Sequence, residues 1–405
     1  MKSTSLTALE KRSAITLSIV FFLRMMPLFM VLPVLVLAAT KYEASTPQLL
    51  GIALGIYGLT QACLQIPFGI LSDKWGRKPV IVLGLTIFAL GSLVAGSTHS
   101  IYGLILGRAL QGSGAIAAAI LALASDLTQE QNRTKVMATI GMSIGLAFCI
   151  AFVIGPILFG KLHIDGLFYM STAFAALAIV ILITFVPTPD KQIEYSQSQT
   201  SLKNLYAIIS DPDLFRLNWS IFTSHLILMA NFVVIPVALR DFAGLPTTSH
   251  WEFYLSVLML SLFIMVPAII LGERIKKVKL FISGSIILIF VSQLGLALNH
   301  HTIFLLGFFM FLFFGAFNYL EALLPSEISK TAKTSIRGTA MGFYSTSQFI
   351  GIFTGGLFGG YLYQNFSING VHYFCLGMCV IWFLIIFLLP DHRVIIDDEL
   401  EEGAI

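Results

Sequence analysis

Residues 69–79, Gly69-Ile-Leu-Ser-Asp73-Lys-Trp-Gly76-Arg77-Lys78-Pro79, form a short charged turn between two apolar runs, about 49–71 and 79–98. Each run has the roughly 20 apolar residues that crossing a bilayer requires. Gly76 permits a tight turn, and Gly69 lets neighbouring helices approach closely. Asp73 can accept hydrogen bonds from a facing helix N-terminus, where negative charge is favoured. Arg77 is a planar fork that can hold a second carboxylate, and Asp126, at the end of a later apolar run, is the natural candidate. A plain positive anchor needs basic residues, but not this ordering of Gly, Asp, Gly and Arg.

Outward from this turn the alternation continues. Twelve apolar runs can be counted: about 13–39, 49–71, 79–98, 101–125, 136–160, 166–187, 214–239, 252–272, 279–298, 302–325, 339–363 and 371–389. The chain of 405 residues is 57% hydrophobic and only 11% charged, against about 25% charged in a soluble domain. That excludes a soluble enzyme, a nucleic-acid binder and a disordered chain. The first run exceeds the roughly 7–15 residues of a signal-peptide core, and more spans follow it, so it reads as a retained helix. The expected fold class is an all-α polytopic membrane protein with twelve transmembrane helices.

Charge tells the two sides apart. Of the 24 Lys and Arg residues, 19 fall in segments on the side of the N-terminus, and only Lys41, Lys161 and Arg240 on the other. Arg24 and Arg108 lie inside spans. The positive-inside rule therefore places both termini and the basic loops in the cytoplasm. The longest connection, 188–212, begins with Pro187-Thr-Pro189 and then turns polar. Leu202, Leu205, Ile208 and Ile209 recur there at helical spacing, which suits a short interfacial helix. The expected organisation is an N-terminal six-helix bundle over 1–187, a central loop over 188–212, a C-terminal six-helix bundle over 213–389 and an acidic tail over 390–405. An offset of 204 sets Arg133, Met137, Ser143 and Gly155 against Arg337, Met341, Ser347 and Gly359, the mark of a duplication. At the same offset Gly160 meets Gln364, where the sequence match ends.

The 69–79 segment resembles the signature loop of the major facilitator superfamily, G-x-L-x-D-R-x-G-R-K, with Lys74 in place of the usual Arg. Leu104-Ile-Leu-Gly-Arg108-Ala-Leu-Gln111-Gly112 is similar to the family's R-x-x-Q-G element. Gly145 and Gly155-Pro156-Ile-Leu-Phe159-Gly160 resemble its antiporter motif, with Phe159 where the first of two paired glycines would stand. Within the family the chain resembles the YajR-type bacterial inner-membrane transporters, through Leu23-Arg24-Met25, Glu321-Ala-Leu-Leu-Pro325 and Tyr344-Ser-Thr-Ser-Gln348 among other segments. The resemblance implies two six-helix bundles around a central cavity and a multi-pass protein of the inner membrane that works as a monomer. It also implies a cytoplasmic latch of Gly69, Asp73, Gly76, Arg77, Lys78 and Asp126, which joins the halves when the cavity opens outward. Gly145, Gly155, Pro156 and Gly160 would form the antiporter motif, with Gly155 and Pro156 at the bend of the fifth span.

Ionisable groups inside spans are costly and usually functional or paired. Arg24 and Arg108 are fixed positive charges, and Glu321 is the only acid well inside a span. Glu321 either carries the coupled proton or serves as a structural ion-pair partner, while the arginines serve coupling or substrate charge. Gln61, Gln65, Gln111, His225 and Asn231 are secondary candidates for the cavity. Gln61 and Gln65 share a helix face and equally suit interhelical hydrogen bonds. His225 can titrate near neutral pH or act as a packed polar residue.

The four cysteines lack metal or redox spacing and read as packing residues. No phosphate-binding loop, HExxH or GxSxG motif is present in the sequence. The expectation is thus no catalytic residue, no metal and no cofactor, with the proton gradient as the driving force. The partners expected are a small-molecule substrate, protons and the lipid bilayer, and no nucleic acid. The leading reading is proton-driven efflux of small amphiphilic compounds or drugs. A transporter of one metabolite or siderophore, in either direction, is the alternative. A non-transporting membrane sensor or a polytopic enzyme would need neither the latch nor the antiport motif.

Overall fold

The structure, a computed structural model, describes residues 6–187, 202–275, 277–333 and 336–388. Helix α1 (Ala8–Val31) starts with a reciprocal cap: Thr7 Oγ1 accepts from the Glu10 amide, and the Glu10 carboxylate accepts from the Thr7 amide. It stops at Val31 rather than near 39: Leu32 keeps helical angles (φ −56°, ψ −51°), but Pro33 has no N–H to continue the ladder. Residues Leu35–Lys41 continue in tighter turns. Helix α2 (Pro47–Trp75) is capped by Thr46 and ends at Gly76, whose φ of 93° favours glycine. Helix α3 (Arg77–Ser97) follows directly. The fourth apolar run is divided at Gly114 into α4 (Ile101–Ser113) and α5 (Ala117–Asp126).

Helix α6 (Arg133–Phe185) holds two spans, reversing at His163 with φ 55° and ψ −176°. Asn132 at its start bonds Glu10, and Val186 at its end receives Lys78, so both ends lie on the basic side. The short helix α7 (Leu202–Ser210) buries Ile208 and exposes Tyr206 and Ile209. Then come α8 (Pro212–Val237), capped by Asp211, α9 (His250–Ile275), α10 (Val278–Leu298) and α11 (Ile303–Thr331). Helix α12 (Arg337–Leu388) again holds two spans, reversing at Ser367 with φ 61° and ψ −170°. Ten apolar stretches, two of them doubled, give twelve crossings. Beyond one isolated bridge, Glu43 to Ser100, the described residues form no sheet.

In the first half α1 packs on α6, and α3 on α4 and α6; in the second, α8 packs on α12, and α11 on α9 and α10. The halves meet mainly where α2 runs along α12, with α6 against α9. The close approach lies on the far side, opposite the basic loops. There a Cβ on Gly51 would sit 2.2 Å from the Gly356 carbonyl oxygen, and one on Gly360 would sit 2.6 Å from that of Pro47. Small residues let backbones touch without a side chain between them. Toward the basic side Gly141, Gly145, Gly338 and Gly342 have nothing within 4 Å of an added Cβ. Most of the expected central loop (188–201) and the tail (390–405) lie outside the described residues.

Candidate functional site

The signature turn folds onto its own half. The Arg77 side chain, 8% exposed, donates from Nε to Asp126 Oδ2 at 3.2 Å and from Nη1 to Ser72 Oγ at 2.7 Å. Its Nη1 also reaches Asp73, four residues back on the preceding helix. Asp73, expected to accept from a facing helix N-terminus, instead has Arg77 as its recorded partner among the described residues, and its side chain is 42% exposed. Lys78 donates to the Val186 carbonyl. Gly69 is less confined than its sequence context suggests: an added Cβ would meet only Ala118 Cβ, at 3.8 Å.

Higher in the first half lie two buried cations. Arg24, 1% exposed, donates to Gln61 Oε1 at 3.0 Å and to the Gly114 carbonyl at 3.3 Å, and lies 5.1 Å from the Phe88 ring centre. Arg108, 0% exposed, donates to Gln111 Oε1 at 2.8 Å and to the Ala53 and Leu54 carbonyls, with the Tyr57 ring centre 4.9 Å away. Gln111 passes the network to Ser92 Oγ at 2.8 Å. Gln61 therefore makes an interhelical hydrogen bond, whereas Gln65 is buried with its Oε1 unpartnered. No carboxylate among the described residues lies within bonding reach of either guanidinium. Carbonyl dipoles and aromatic faces hold these charges instead.

Glu321, on α11, stands apart from both arginines. Its Oε1 lies 3.5 Å from His225 Nε2 on α8. His225 Nδ1 is 3.2 Å from the Ile221 carbonyl, which can only accept, so this nitrogen carries the hydrogen. Nε2 then accepts from the Gln348 amide at 2.8 Å. The structural ion-pair reading of Glu321 thus meets a histidine rather than an arginine. Its side chain is 36% exposed, on the helices that border the gap between the halves. Asn231, two turns beyond His225, is 1% exposed and leaves both amide atoms without a hydrogen-bond partner.

The far end is sealed by aromatic rings. Phe148 and Phe152 of α6 meet Phe314 of α11 at 6.3 and 6.4 Å, and Phe152 meets Phe232 and Tyr254 at 5.0 and 5.6 Å. Gly155, beside Pro156, presses on α1: an added Cβ would lie 2.6 Å from the Met30 carbonyl oxygen. Gly160 faces Thr248 of the second half at 3.0 Å, and Gly145 faces open space. As site residues, Tyr57, Ser92, Phe148 and Phe152 do not stand out in the sequence, and Gln348 does so only within the family-like segment 344–348. Gln348 had a signal, since Ser345-Thr-Ser-Gln348 is a polar run inside an apolar span. The aromatic residues had none, because Phe is abundant throughout the chain.

Comparisons with known proteins agree with this architecture. A model of the Major Facilitator Superfamily matches residues 17–327 and 220–403. The chain is 45% identical over 382 residues to the inner membrane transport protein YajR of Escherichia coli (strain K12), covering 94% of this chain and 84% of that one. It is 30% identical over 175 residues, 42% of each chain, to the class H tetracycline resistance protein of Pasteurella multocida. A solved bacterial homologue of the human lysosomal transporter Spinster, inward-facing and occupied, superposes with a TM-score of 0.77 at 12% identity, covering 95% of this chain and 97% of that one. At that identity the likeness is one of fold.

Proposed function

From the premise that the chain belongs to the Major Facilitator Superfamily, we propose that it drives efflux of small amphiphilic compounds by exchange for protons. It is a multi-pass transporter of the inner membrane and not an enzyme. The observation that carries it is the Glu321–His225 pair, 3.5 Å apart within the membrane-spanning region. Coupling requires a proton-binding group that communicates with one side at a time. Here Glu321 is partly exposed, while glycine contacts and aromatic rings close the far side.

Rocking of the two halves about this pair would present it alternately to each side. Gly155 and Pro156 lie on the α6 arm that would swing, and Asp73 and Arg77 lie in the turn that would engage the second half when the basic side closes. The excess of basic residues places that side in the cytoplasm, with both termini. The protein acts as a monomer and needs no cofactor beyond the proton gradient.

The test is transport in inverted membrane vesicles with an imposed proton gradient, against a panel of dyes, drugs and siderophores. Substrate-dependent collapse of the gradient supports exchange. Uptake into intact cells without proton counterflow refutes it and favours an importer of one metabolite.

A further inference from the structure

We infer that the transported molecule is an amphiphilic anion, drawn into the cavity by the uncompensated guanidinium pair of Arg24 and Arg108. The inference rests on the transport reading of this same cavity and names its substrate class.

The two arginines are held by the same helix, α2. Arg24 donates to Gln61 Oε1 at 3.0 Å, and the Tyr57 ring centre lies 4.9 Å from the Arg108 guanidinium carbon. Every acceptor recorded for either cation is a neutral carbonyl, amide or sulfur. Such dipoles solvate a charge but do not cancel it. Two like charges in apolar surroundings favour any arrangement that brings an anion near. Glu321, the one acid well inside a span, is already directed at His225 in the other half.

Arg24 also touches the face of α1 that leads toward the second half. Arg24 Nη1 rests 3.7 Å from the Met25 sulfur. Met25 is half-buried and shares a helix face with Phe29, one turn on. The Phe29 ring centre is 5.2 Å from that of Phe148, which lies 6.3 Å from Phe314 of the other half. This face of α1 therefore borders the space between the halves. A positive field enters that space with little screening, beneath an aromatic roof that suits a flat apolar body. A cation of the same shape gains the roof and is repelled by the wall.

The experiment compares two planar dyes of similar size, carboxyfluorescein (anionic) and rhodamine 6G (cationic). Fluorescence anisotropy measures their binding to the full chain in nanodiscs of zwitterionic lipid. The expected result is binding of carboxyfluorescein about tenfold tighter than rhodamine 6G. Arg24→Gln should bring the two toward parity, and Arg24→Lys should keep the preference. Met25→Glu places a negative charge on the wall without removing a buried group, and should also erase the preference should Arg24→Gln fold poorly. Competition by added phosphatidylglycerol would assign the anionic group to a lipid, and its absence to a free amphiphile.

Equal affinity, tighter binding of the cation, or no binding of either dye overturns the inference. So does a preference that survives both Arg24→Gln and Met25→Glu. Proton-coupled transport of rhodamine 6G alone would sink the anion while leaving antiport standing. Anion binding without any proton movement would do the reverse.

Discussion

Glu321 Oε1 faces His225 Nε2 across 3.5 Å, and that nitrogen already accepts the Gln348 amide hydrogen. Both ring nitrogens of His225 are thus engaged, Nδ1 at the Ile221 carbonyl and Nε2 at the Gln348 amide, so the neutral ring gives the Glu321 carboxylate neither a hydrogen bond nor a counter-charge. Because the partner is a histidine and no buried arginine depends on Glu321, loss of its charge does not strand a cation.

Glu321→Gln is therefore expected to fold and to accumulate in the membrane as the parent does, with stability changed by about 1 kcal/mol or less. Proton-driven accumulation should be lost while downhill exchange persists. A membrane blot and a melting curve read the first, and vesicle transport the second. A scarce, unstable protein would restore the ion-pair reading, and undiminished proton-driven transport would defeat the coupling role.

The glycine contact on the far side makes a second expectation. A side chain at Gly51 would begin 2.2 Å from the Gly356 carbonyl oxygen, so Gly51→Leu should hold α2 away from α12. Impermeant maleimide should then reach a cysteine at position 232 from the far side, in a background lacking the four native cysteines. Labelling no faster than in the parent would show that the seal closes without that contact.

Within the antiporter motif the two glycines should differ. Gly155→Ala drives a methyl group toward the Met30 carbonyl oxygen, 2.6 Å away, at a cost of about 1–3 kcal/mol. Gly145→Ala meets nothing within 4 Å and should gain roughly 0.5–1 kcal/mol from helix propensity. Melting curves of the two variants decide the point, and equal destabilisation would contradict the packing described.

The signature turn yields a pair of variants. Asp73 is 42% exposed in its pairing with Arg77, so Asp73→Asn should cost about 0–1 kcal/mol and yet abolish most transport through loss of the latch. Arg77→Ala withdraws a partner from Asp126, itself only 12% exposed, and should cost about 3–5 kcal/mol. Normal transport by Asp73→Asn at normal abundance would remove the latch from the mechanism.

Much of the fold was legible because it rests on patterns that repeat locally. Apolar runs of bilayer length mark the spans, and Gly76 marks the turn after α2. At an offset of 204 Arg133 matches Arg337, while Gly160 meets Gln364 and the sequence match ends. The backbone carries it further: the two reversals, at His163 and Ser367, are themselves 204 residues apart and have nearly the same φ and ψ. A fold repeat outlasts its sequence repeat, because a left-handed turn between spans constrains backbone angles more than side-chain identity.

The sequence alone determined that this chain crosses a membrane, which side is basic, and which charges lie within spans. Those properties depend on composition and spacing along one helix. Only the tertiary structure decided that Glu321 meets His225, that Arg24 and Arg108 lack an acid, and which side of the cavity is closed. Each of these depends on residues from different helices, some more than a hundred positions apart. Their meeting is settled by how helices pack, through small residues such as Gly51 and Gly356, and by the cost of leaving a buried polar group without a partner.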